Sequence, residues 1–377
     1  MGRRQRLIST SILRAIFKTE PKDRNKPLGL LARIFAFFSV FSLALARYRG
    51  RLFKKLRNEI WQIEEEEYTE SFRSPSRGKR TDLVAAGDLG YSGSTFFTTP
   101  NSKYLLKSLP RQFEQAFFRD RLLDVYVEHN EFNPTSLLVR ITDLLYCPTP
   151  TLGAMIGTAS SHHIVMENIL YGQSSCAQGD QKLWETYDLK PNDYFFPERD
   201  IAGGHLAPDS VKDRLIDEFP DKIRVTIDEK EELVAQLSKD TKILQEANAV
   251  DYSLFLVRYP SSMSSAENGK VPVPAGRPSL WRNGVLSRDK RWIYRAVLLD
   301  FFWAKDALQA KAMTGLVNSW NFLQWGEGNG PMSITTSSDE YRTRFLSMLE
   351  TIIEVTDSAG RPAGEIRSPP SEGTEEV

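Results

Sequence analysis

The sequence predicts an α+β fold in which short strands and amphipathic helices are mixed along the chain. Residues 95–98 and 104–107 are apolar and β-prone, and a short polar segment with a proline separates them, which predicts a β-hairpin. Residues 231–247 carry apolar side chains at helical spacing, which predicts an amphipathic helix. The apolar runs 252–257 and 296–299 are typical of buried strands. These segments together indicate a globular domain in which sheets pack against helices.

The chain divides into a basic arm, one domain and a tail. Residues 1–51 form the arm, and the predicted helices and strands occupy residues 52–356. Within the domain, residues 260–289 are rich in Ser, Pro and Gly, which predicts an inserted loop. Residues 357–377 are polar, and we predict that they are disordered.

Helices are predicted at both ends of the domain. Residues 52–60 have apolar side chains at helical spacing. Ser338 is suited to cap a last helix that runs through Val355. The chain has 377 residues, of which 41% are hydrophobic and 26% charged, so it can bury one large core or two small ones.

Charge is distributed unevenly along the chain. Residues 1–57 contain ten Arg and five Lys against Glu20 and Asp23, a net charge of +13 that the rest of the chain balances. A basic segment ahead of an acidic body favours contact with an anionic membrane. Such a membrane attracts the segment with a free energy of about 1 kcal/mol per basic residue. Nucleic acid is the competing anionic partner, but no nucleic-acid-binding motif is visible, so we predict none. A solvated arm without a partner remains the alternative.

The arm contains an apolar run over residues 34–46. As a helix these thirteen residues rise about 20 Å, whereas a membrane span needs about 20 residues. Because Arg33 and Arg47 flank the run, we predict a helix lying in the membrane interface. Burial against the domain or against a partner chain is the alternative.

The cysteines and histidines indicate the redox compartment and argue against a zinc site. Cys147 and Cys176 are the two cysteines of the chain, so no disulfide framework is expected and a reducing compartment is indicated. The four histidines, which include the adjacent pair His162 and His163, do not have zinc-ligand spacing. We therefore predict a cytoplasmic protein that associates peripherally with membranes.

The predicted hairpin carries residues suited to hold nucleotide phosphates. Ser92, Gly93 and Ser94 form a small flexible turn before the first strand, where backbone N–H groups can approach phosphate oxygens. Lys107 ends the second strand, and a lysine on such a strand is the kinase arrangement for gripping phosphates. Glu114 opens the next helix and is a candidate partner for Lys107, although it could equally face solvent.

Acidic residues at strand ends supply candidates for the rest of a phosphoryl-transfer site. Asp251 precedes one predicted strand and Asp300 follows another. Carboxylates brought together from distant strands are suited to bind Mg²⁺, although each alone could be a strand-end cap. Asp188 and Lys190 stand two residues apart, so in an extended segment they face the same side.

These signals occur in an order that resembles the phosphatidylinositol phosphate kinases. The resemblance extends over about 300 residues, from position 52 to position 355. It is carried by an S-G-S-x-F-F turn, the nucleotide lysine, an N-P-x-T-L-L turn, a hinge strand, Y-D-L-K, M-D-Y-S-L, I-I-D and a closing Y-x-x-R-F helix. The corresponding residues here are 92–97, Lys107, 133–138, 164–168, 187–190, 250–254, 298–300 and 341–345.

The resemblance implies a bilobal fold, similar to that of SAICAR synthase, with an antiparallel N-terminal sheet, a smaller α/β C-terminal lobe and ATP between them. The lobes would span about residues 52–170 and 171–356. ATP would contact the residues Ser92, Gly93, Ser94, Lys107, Glu114, Met166, Glu167 and Asn168. Asp300 would hold Mg²⁺, and the catalytic residues would be Asp251, Lys190 and Asp188.

The chain departs from the family pattern on the side that contacts lipid. The family continues Y-D-L-K with G-S, whereas Pro191 follows here and lacks the backbone N–H of other residues. Of the basic residues that the family places next, Arg199 is the one nearby substitute. The family's paired lysines beyond the metal aspartate are represented by the separated Lys305 and Lys311. These three basic residues are the candidates for contact with lipid.

The favoured function is an ATP-dependent lipid kinase that phosphorylates phosphatidylinositol 4-phosphate at the 5-position. Its partners would be a phosphoinositide and an anionic membrane surface, and a homodimer stays open. One alternative is a weakly active or inactive relative that serves as a binding or scaffold protein at membranes. The other is a kinase for soluble inositol phosphates or an ATP-dependent ligase of similar architecture.

Overall fold

A computed structural model of the chain describes residues 2–18, 41–74, 82–86, 94–149, 151–155, 159–191, 219–264, 270–305 and 337–356. Over these residues the fold is α+β, as predicted, and its sheets are mainly antiparallel. No helix of the described ranges is both long enough and apolar enough to span a bilayer.

Ten helices are assigned in the described ranges. They are α1 (Arg3–Phe17), α2 (Gly50–Lys55), α3 (Glu65–Glu70), α4 (Gln112–Phe117), α5 (Leu123–Phe132), α6 (Leu152–Met155), α7 (Gln178–Gln181), α8 (Ile227–Glu246), α9 (Leu280–Asn283) and α10 (Ser338–Ile352). Wider π-helical turns, Leu56–Ile60 and Phe118–Leu122, follow α2 and α4, and 3₁₀ turns are formed by Gln173–Ser175 and Ser261–Ser264.

Fourteen strands are assigned in the same ranges. They are β1 (Ala46–Arg47), β2 (Val84–Ala85), β3 (Phe96–Thr98), β4 (Tyr104–Leu109), β5 (Ile141–Tyr146), β6 (His162–Glu167), β7 (Glu185–Leu189), β8 (Ile223–Val225), β9 (Ala249–Val250), β10 (Ser253–Pro260), β11 (Val285–Leu286), β12 (Trp292–Leu299), β13 (Trp303–Ala304) and β14 (Ile353–Val355).

Two antiparallel sheets form the framework of the fold. The six-stranded sheet has the order β1-β5-β6-β4-β3-β2, and the four-stranded sheet has the order β11-β12-β10-β7. The segment before β5 joins them, because the Leu298 amide donates to the Leu137 carbonyl and the Val139 amide donates to the Leu298 carbonyl. One continuous hydrophobic core includes side chains of both sheets. The division into two lobes, with the boundaries given above, stays a prediction.

The predicted hairpin is formed by β3 and β4. Phe96 lies opposite Lys107, and Thr98 lies opposite Leu105, so the register brings Lys107 beside the start of β3. Strand β4 also pairs with β6, where Lys107 lies opposite Ile164. Because β4 has neighbours on both sides, the backbone that carries Lys107 is fixed by two ladders of hydrogen bonds.

The ends of two helices differ from the sequence prediction. Helix α8 begins a turn earlier than expected because Thr226 and Glu229 form a capping box, in which each side chain accepts a bond from the other residue's amide. Ser337, not Ser338, caps α10, and its hydroxyl accepts from the Glu340 amide at 3.1 Å. The helix also does not run through Val355, since the chain becomes the extended strand β14.

The predicted inserted loop is packed into the protein over residues 270–283, and buried arginines hold it there. Arg140 donates to the carbonyls of Ala275 (2.8 Å) and Arg277 (2.6 Å), so it joins the loop to the six-stranded sheet. Arg295 of the four-stranded sheet donates to the Pro272 carbonyl at 2.9 Å. The loop is therefore a strap between the sheets.

The N-terminal residues are folded onto the domain over the described part of the arm. The apolar side chains Ile8, Ile12 and Ile16 of α1 are buried. Residues 41–46 are extended and not helical, and Leu43 and Leu45 are buried, so the predicted interfacial helix is wrong at its C-terminal end. Residues 34–40 and the predicted disordered tail lie outside the described residues.

The strap generates a testable prediction at Gly276. This residue has φ of +94°, and a Cβ atom there would lie 2.6 Å from the Trp61 carbonyl oxygen. We expect Gly276→Ala to lower the free energy of unfolding by about 2 kcal/mol or more, because the left-handed backbone and the contact are both unfavourable. Urea denaturation measures the change. Gly179→Ala is the control, since nothing lies within 4 Å of its Cβ position; equal stability of both variants would contradict the close packing of the strap.

Candidate active site

Lys107 reaches the end of the four-stranded sheet from the six-stranded one. Its ammonium group donates to Oδ1 of Asp300, and 9% of its side-chain surface is exposed. The rings of Phe96 and Phe302 lie 5.8 and 5.9 Å from the ammonium nitrogen. Two residues 193 positions apart thus meet between the sheets.

Asp300 stands where β12 ends, in a left-handed backbone conformation with φ of 61°. Its side chain remains partly accessible, with 40% of its surface exposed. Burial alone would raise its pKa, but the charges of Lys107 and Lys190 outweigh burial, so the pKa of Asp300 lies below its ordinary value. The carboxylate is therefore ionised and open to a ligand.

Asp251 and Lys190 form a second ion pair at the same end of the sheet. Asp251 joins β9 to β10 with φ of 64°, and Lys190 directly follows β7, which pairs with β10. The Lys190 ammonium donates to Oδ1 of Asp251 at 2.8 Å. Asp and Asn adopt the left-handed conformation more readily than other non-glycine residues, so aspartates suit both sharp strand ends.

Asp188 completes the cluster of charges. Burial raises the pKa of Asp188 above its ordinary value; Lys190 opposes this shift, and the negative charges of Asp300 and Asp251 add to it. For Lys190, burial lowers the pKa, but the three aspartates outweigh burial and the pKa is raised. Two amines and three carboxylates therefore interact at one place, and these are five of the residues that the sequence singled out.

Glu114 does not pair with Lys107, contrary to the sequence hypothesis. Its carboxylate accepts from Arg111 at 2.9 Å and from the indole N–H of Trp303 at 3.0 Å. The Arg111 guanidinium also lies 4.8 Å from the centre of the Trp303 ring. Lys107 is already paired with Asp300, and α4 packs against β13, so the nearest partners of Glu114 are those on these elements.

Arg111 and Trp303 are site residues that sequence reasoning missed. Arg111 is a further cation whose charge helps to lower the pKa of Asp300, after those of Lys107 and Lys190. Trp303 follows Asp300 by three positions and supports the Arg111 guanidinium. Their signal in the sequence is weak, because an arginine one turn before a glutamate is common on helix surfaces.

The residues predicted to line the adenine edge lie at the end of β6, next to the strand of Lys107. Met166 is buried opposite Leu105. Glu167 is 2% exposed, and its carboxylate accepts from Arg282, so its side chain is not available to a nucleotide. The Asn168 side-chain amide donates to the Ser102 carbonyl at 2.8 Å. The Glu167 amide also donates within the protein, to the Arg140 carbonyl at 3.0 Å.

Of the remaining predicted site residues, the described ranges include Ser94 and Lys305. Ser94 is buried before β3, and Lys305 follows β13, where its amide donates to the Asn248 carbonyl. The predicted positions Ser92, Gly93, Arg199 and Lys311 lie outside the described residues.

The donor set fits a metal ion that is shared with a nucleotide. Around the described side chains, no group of three or more His, Cys, Asp or Glu could enclose a metal by itself. Mg²⁺ is commonly held by one or two carboxylates together with substrate phosphates, so it does not need such a group. Asp300, with Asp188 near it, offers hard oxygen ligands of this kind.

Comparison with known proteins agrees with the chemistry of this site. The sequence model of the Phosphatidylinositol-4-phosphate 5-Kinase family matches residues 78–272, more than half of the chain. The chain therefore belongs to this family of phosphatidylinositol phosphate kinases, as a divergent member. The matched range contains Lys107, Asp188, Lys190 and Asp251.

Individual relatives are similar at low identity. A probable phosphatidylinositol phosphate kinase of Dictyostelium discoideum is 32% identical over 174 residues, which cover 45% of this chain and 22% of that protein. A phosphatidylinositol 4-phosphate 5-kinase of Plasmodium falciparum is 27% identical over 330 residues, which cover 80% of this chain and 18% of that protein. The type-1 alpha phosphatidylinositol 4-phosphate 5-kinase of Mus musculus is 24% identical over 213 residues, which cover 54% of this chain and 36% of that protein. The matched parts thus span about a third or less of the length of these relatives.

Removing the Lys190 amine tests the charge cluster. We expect Lys190→Met to lower the free energy of unfolding at pH 7 by about 2 kcal/mol, because Asp188 and Asp300 lose a cation that favours their ionised forms. The pKa of Asp188, which is already raised, rises further, and a carboxylate whose pKa is higher in the folded state than in the unfolded state costs stability as pH increases through that interval. The loss should therefore be smaller at pH 5 than at pH 7.

Urea denaturation at the two pH values measures both changes. The matched control is the exposed Lys182, whose replacement by Met should alter stability by about 0.5 kcal/mol or less at either pH. A loss in Lys190→Met that is the same at pH 5 and pH 7 would be inconsistent with an interaction between Lys190 and the buried carboxylates.

Proposed function

We propose that this chain is an ATP- and Mg²⁺-dependent lipid kinase that phosphorylates the inositol headgroup of a phosphatidylinositol monophosphate. The favoured substrate is phosphatidylinositol 4-phosphate, with transfer to the 5-hydroxyl, because the relatives named as 5-kinases of this lipid are similar over as much as 80% of the chain. The observation that carries the proposal is the meeting of the Lys107–Asp300 and Lys190–Asp251 pairs at one end of the four-stranded sheet.

The chain's own residues suit the ATP side of this reaction. Phosphoryl transfer depends mainly on positioning and on cations that neutralise phosphate charge. Lys107 would contact the ATP phosphates, and Lys190 would contact the phosphoryl group that is transferred. Arg111 is a third cation at the site, held in place by Glu114 and Trp303. The backbone of residues 166–168 would face the adenine edge.

The acceptor side requires a group that orients the inositol hydroxyl and takes its proton. Asp251 suits this role because 23% of its side-chain surface is exposed and its Oδ1 atom is fixed by Lys190 at 2.8 Å. The oxygen of the hydroxyl forms the new bond to the γ-phosphorus while the bond from that phosphorus to the bridging oxygen of ADP breaks. Asp251 would accept the proton that the hydroxyl releases.

Mg²⁺ would be held by Asp300, with Asp188 as a second carboxylate that interacts with it. When bound, this ion neutralises negative charge on the phosphates. Burial raises the pKa of Asp188, and a bound cation nearby would favour its ionised form. Asp188 therefore suits a metal ligand whose ionisation is stabilised when the ion binds.

A second function is favoured by the residue after Lys190. Pro191 is buried there and has no N–H to offer a phosphate, where the family places a glycine. A chain that binds ATP and phosphoinositide but transfers phosphate slowly would act as a binding or scaffold protein at membranes. Soluble inositol phosphates form the third class of substrate to be tested.

Product identification tests the proposal. Purified chain, MgATP and each monophosphorylated phosphoinositide are combined in detergent micelles, and the bisphosphate product is identified. We expect transfer to phosphatidylinositol 4-phosphate, and a loss of about 10²-fold or more in Asp300→Asn, because the metal carboxylate is removed. Asp228→Asn is the control, since this exposed aspartate lies in the first turn of α8, away from the site.

The other outcomes decide between the alternatives. ATP binding without transfer to any phosphoinositide would replace the enzyme proposal with the scaffold. Transfer to soluble inositol phosphates alone would assign the third class. Transfer that is equally fast in Asp300→Asn and in the control would remove Asp300 from the reaction.

A further inference from the structure

Helix α1 is attached to the domain by specific contacts of its inner face. The Ser9 hydroxyl accepts from the Leu83 amide at 2.9 Å, and the Ser11 hydroxyl accepts from the Leu43 amide at 3.0 Å. Near its C-terminal end, Arg47 donates to the Ile16 carbonyl at 2.9 Å. Because the apolar side chains between these contacts are buried in the protein, this face of the helix is not available for insertion into lipid.

The charged residues of α1 and of its C-cap, Lys18, are all basic and exposed. There are five of them: Arg3, Arg4, Arg6, Arg14 and Lys18. Residues 2–18 contain no Asp or Glu, and none of the five forms an ion pair with another described residue. They form two groups, residues 3–6 and 14–18, near the two ends of a helix that is about 22 Å long; we call these two groups together the stripe.

This arrangement costs stability unless an anion is nearby. Arg3 and Arg6 are three positions apart on α1, and like charges at this spacing repel each other on a helix. Solvent-facing helices of soluble domains usually alternate both signs of charge, which relieves such repulsion. An anionic surface along the stripe would relieve it here.

An aromatic side chain lies at the end of the stripe. Phe17 is 38% exposed, and the Arg73 guanidinium lies 5.7 Å from the centre of its ring. An exposed aromatic ring beside a cation suits the headgroup region of a bilayer, where apolar and charged groups are both accommodated. The same ring has no obvious use against the phosphate backbone of a nucleic-acid duplex.

We infer that the stripe of α1 is an electrostatic docking surface for an anionic lipid bilayer. It holds the protein on the membrane by charge, with the helix already folded on the domain and its apolar face retained there. The choice of lipid as the partner rests on the proposed function, since a kinase for a phosphoinositide must work at a bilayer. Binding itself requires neither ATP nor turnover.

Vesicle binding tests the inference on the full chain. The probe is phosphatidylcholine vesicles with about 30 mol% phosphatidylserine in about 0.1 M salt, and bound protein is measured by co-sedimentation. Each basic residue near such a surface is expected to contribute about fivefold in partitioning. The triple variant R3Q/R4Q/R14Q should therefore bind at least about tenfold more weakly, even after partial screening by salt.

The control removes the same number of charges elsewhere. K182Q/K239Q/K242Q changes three exposed lysines outside α1 and should bind within about twofold of the unaltered chain. Equal melting temperatures of both triple variants exclude unfolding as the cause. Full vesicle binding by R3Q/R4Q/R14Q, an equal loss in the control, or preferential binding of the unaltered chain to duplex nucleic acid would each overturn the inference.

Failure here is distinguishable from failure of the proposed reaction. Micellar substrate presents the headgroup without an extended charged bilayer, so phosphoryl transfer in micelles should be the same in R3Q/R4Q/R14Q as in the unaltered chain. Transfer in micelles without a loss of vesicle binding in the variant would reject the docking surface and leave the kinase proposal in place.

Discussion

The junction between the two main sheets depends on an electrostatic balance between two lysines and three aspartates that come from different strands. Lys107 lies on the six-stranded sheet, whereas Asp188, Lys190, Asp251 and Asp300 lie at or beside strand ends of the four-stranded sheet. Each carboxylate would be costly to bury beside two others, and each amine would be costly to bury alone. Together they connect the two sheets at the place where we propose that the nucleotide and its metal ion bind.

The scaffold around this cluster also relies on buried charges. Arg140, Arg282 and Arg295 are almost fully buried, and they donate mainly to backbone carbonyls of the strap and of the segments that it crosses. Arg282 in addition pairs with Glu167 at the end of β6. A planar guanidinium with several donors can satisfy many carbonyl oxygens at once, which explains why a loop with little regular structure can be held so firmly.

Local patterns were sufficient to predict much of the fold. Periodicity and composition predict the β3–β4 hairpin, helix α8 and the strands β10 and β12. The observed ends of these elements differ from the predicted ends by a few residues, and for α8 the difference arises from the capping box. The packing of residues 270–283 was not predicted, because Ser, Pro and Gly indicate a loop but do not reveal that buried arginines will bind its carbonyls. Residues 41–46 are extended although they belong to a run for which the sequence predicts a helix, because apolar character alone cannot distinguish a buried extended segment from a helix.

For the site, the sequence predicted the residue types but not their partners. Lys107, Asp251 and Asp300 were chosen from their positions at strand ends, and the structure brings them together. The position of Glu114 at the start of a helix suggests Lys107 as its partner, whereas Glu114 contacts Arg111 and Trp303, because a partner in three dimensions depends on how α4 packs against β13. The order of motifs along a chain carries no information about such contacts.

The most direct test of the account is the affinity of the chain for MgATP when the Lys107 amine is removed. Isothermal titration of Lys107→Met should show binding weakened by about 10- to 100-fold, because a charged contact to phosphate is lost. Lys103 lies in the turn of the same hairpin, and its amine pairs with Glu67 of α3. The control Lys103→Met should therefore bind MgATP as the unaltered chain does. Equal affinity of all three proteins would contradict a nucleotide site built on Lys107 and Asp300.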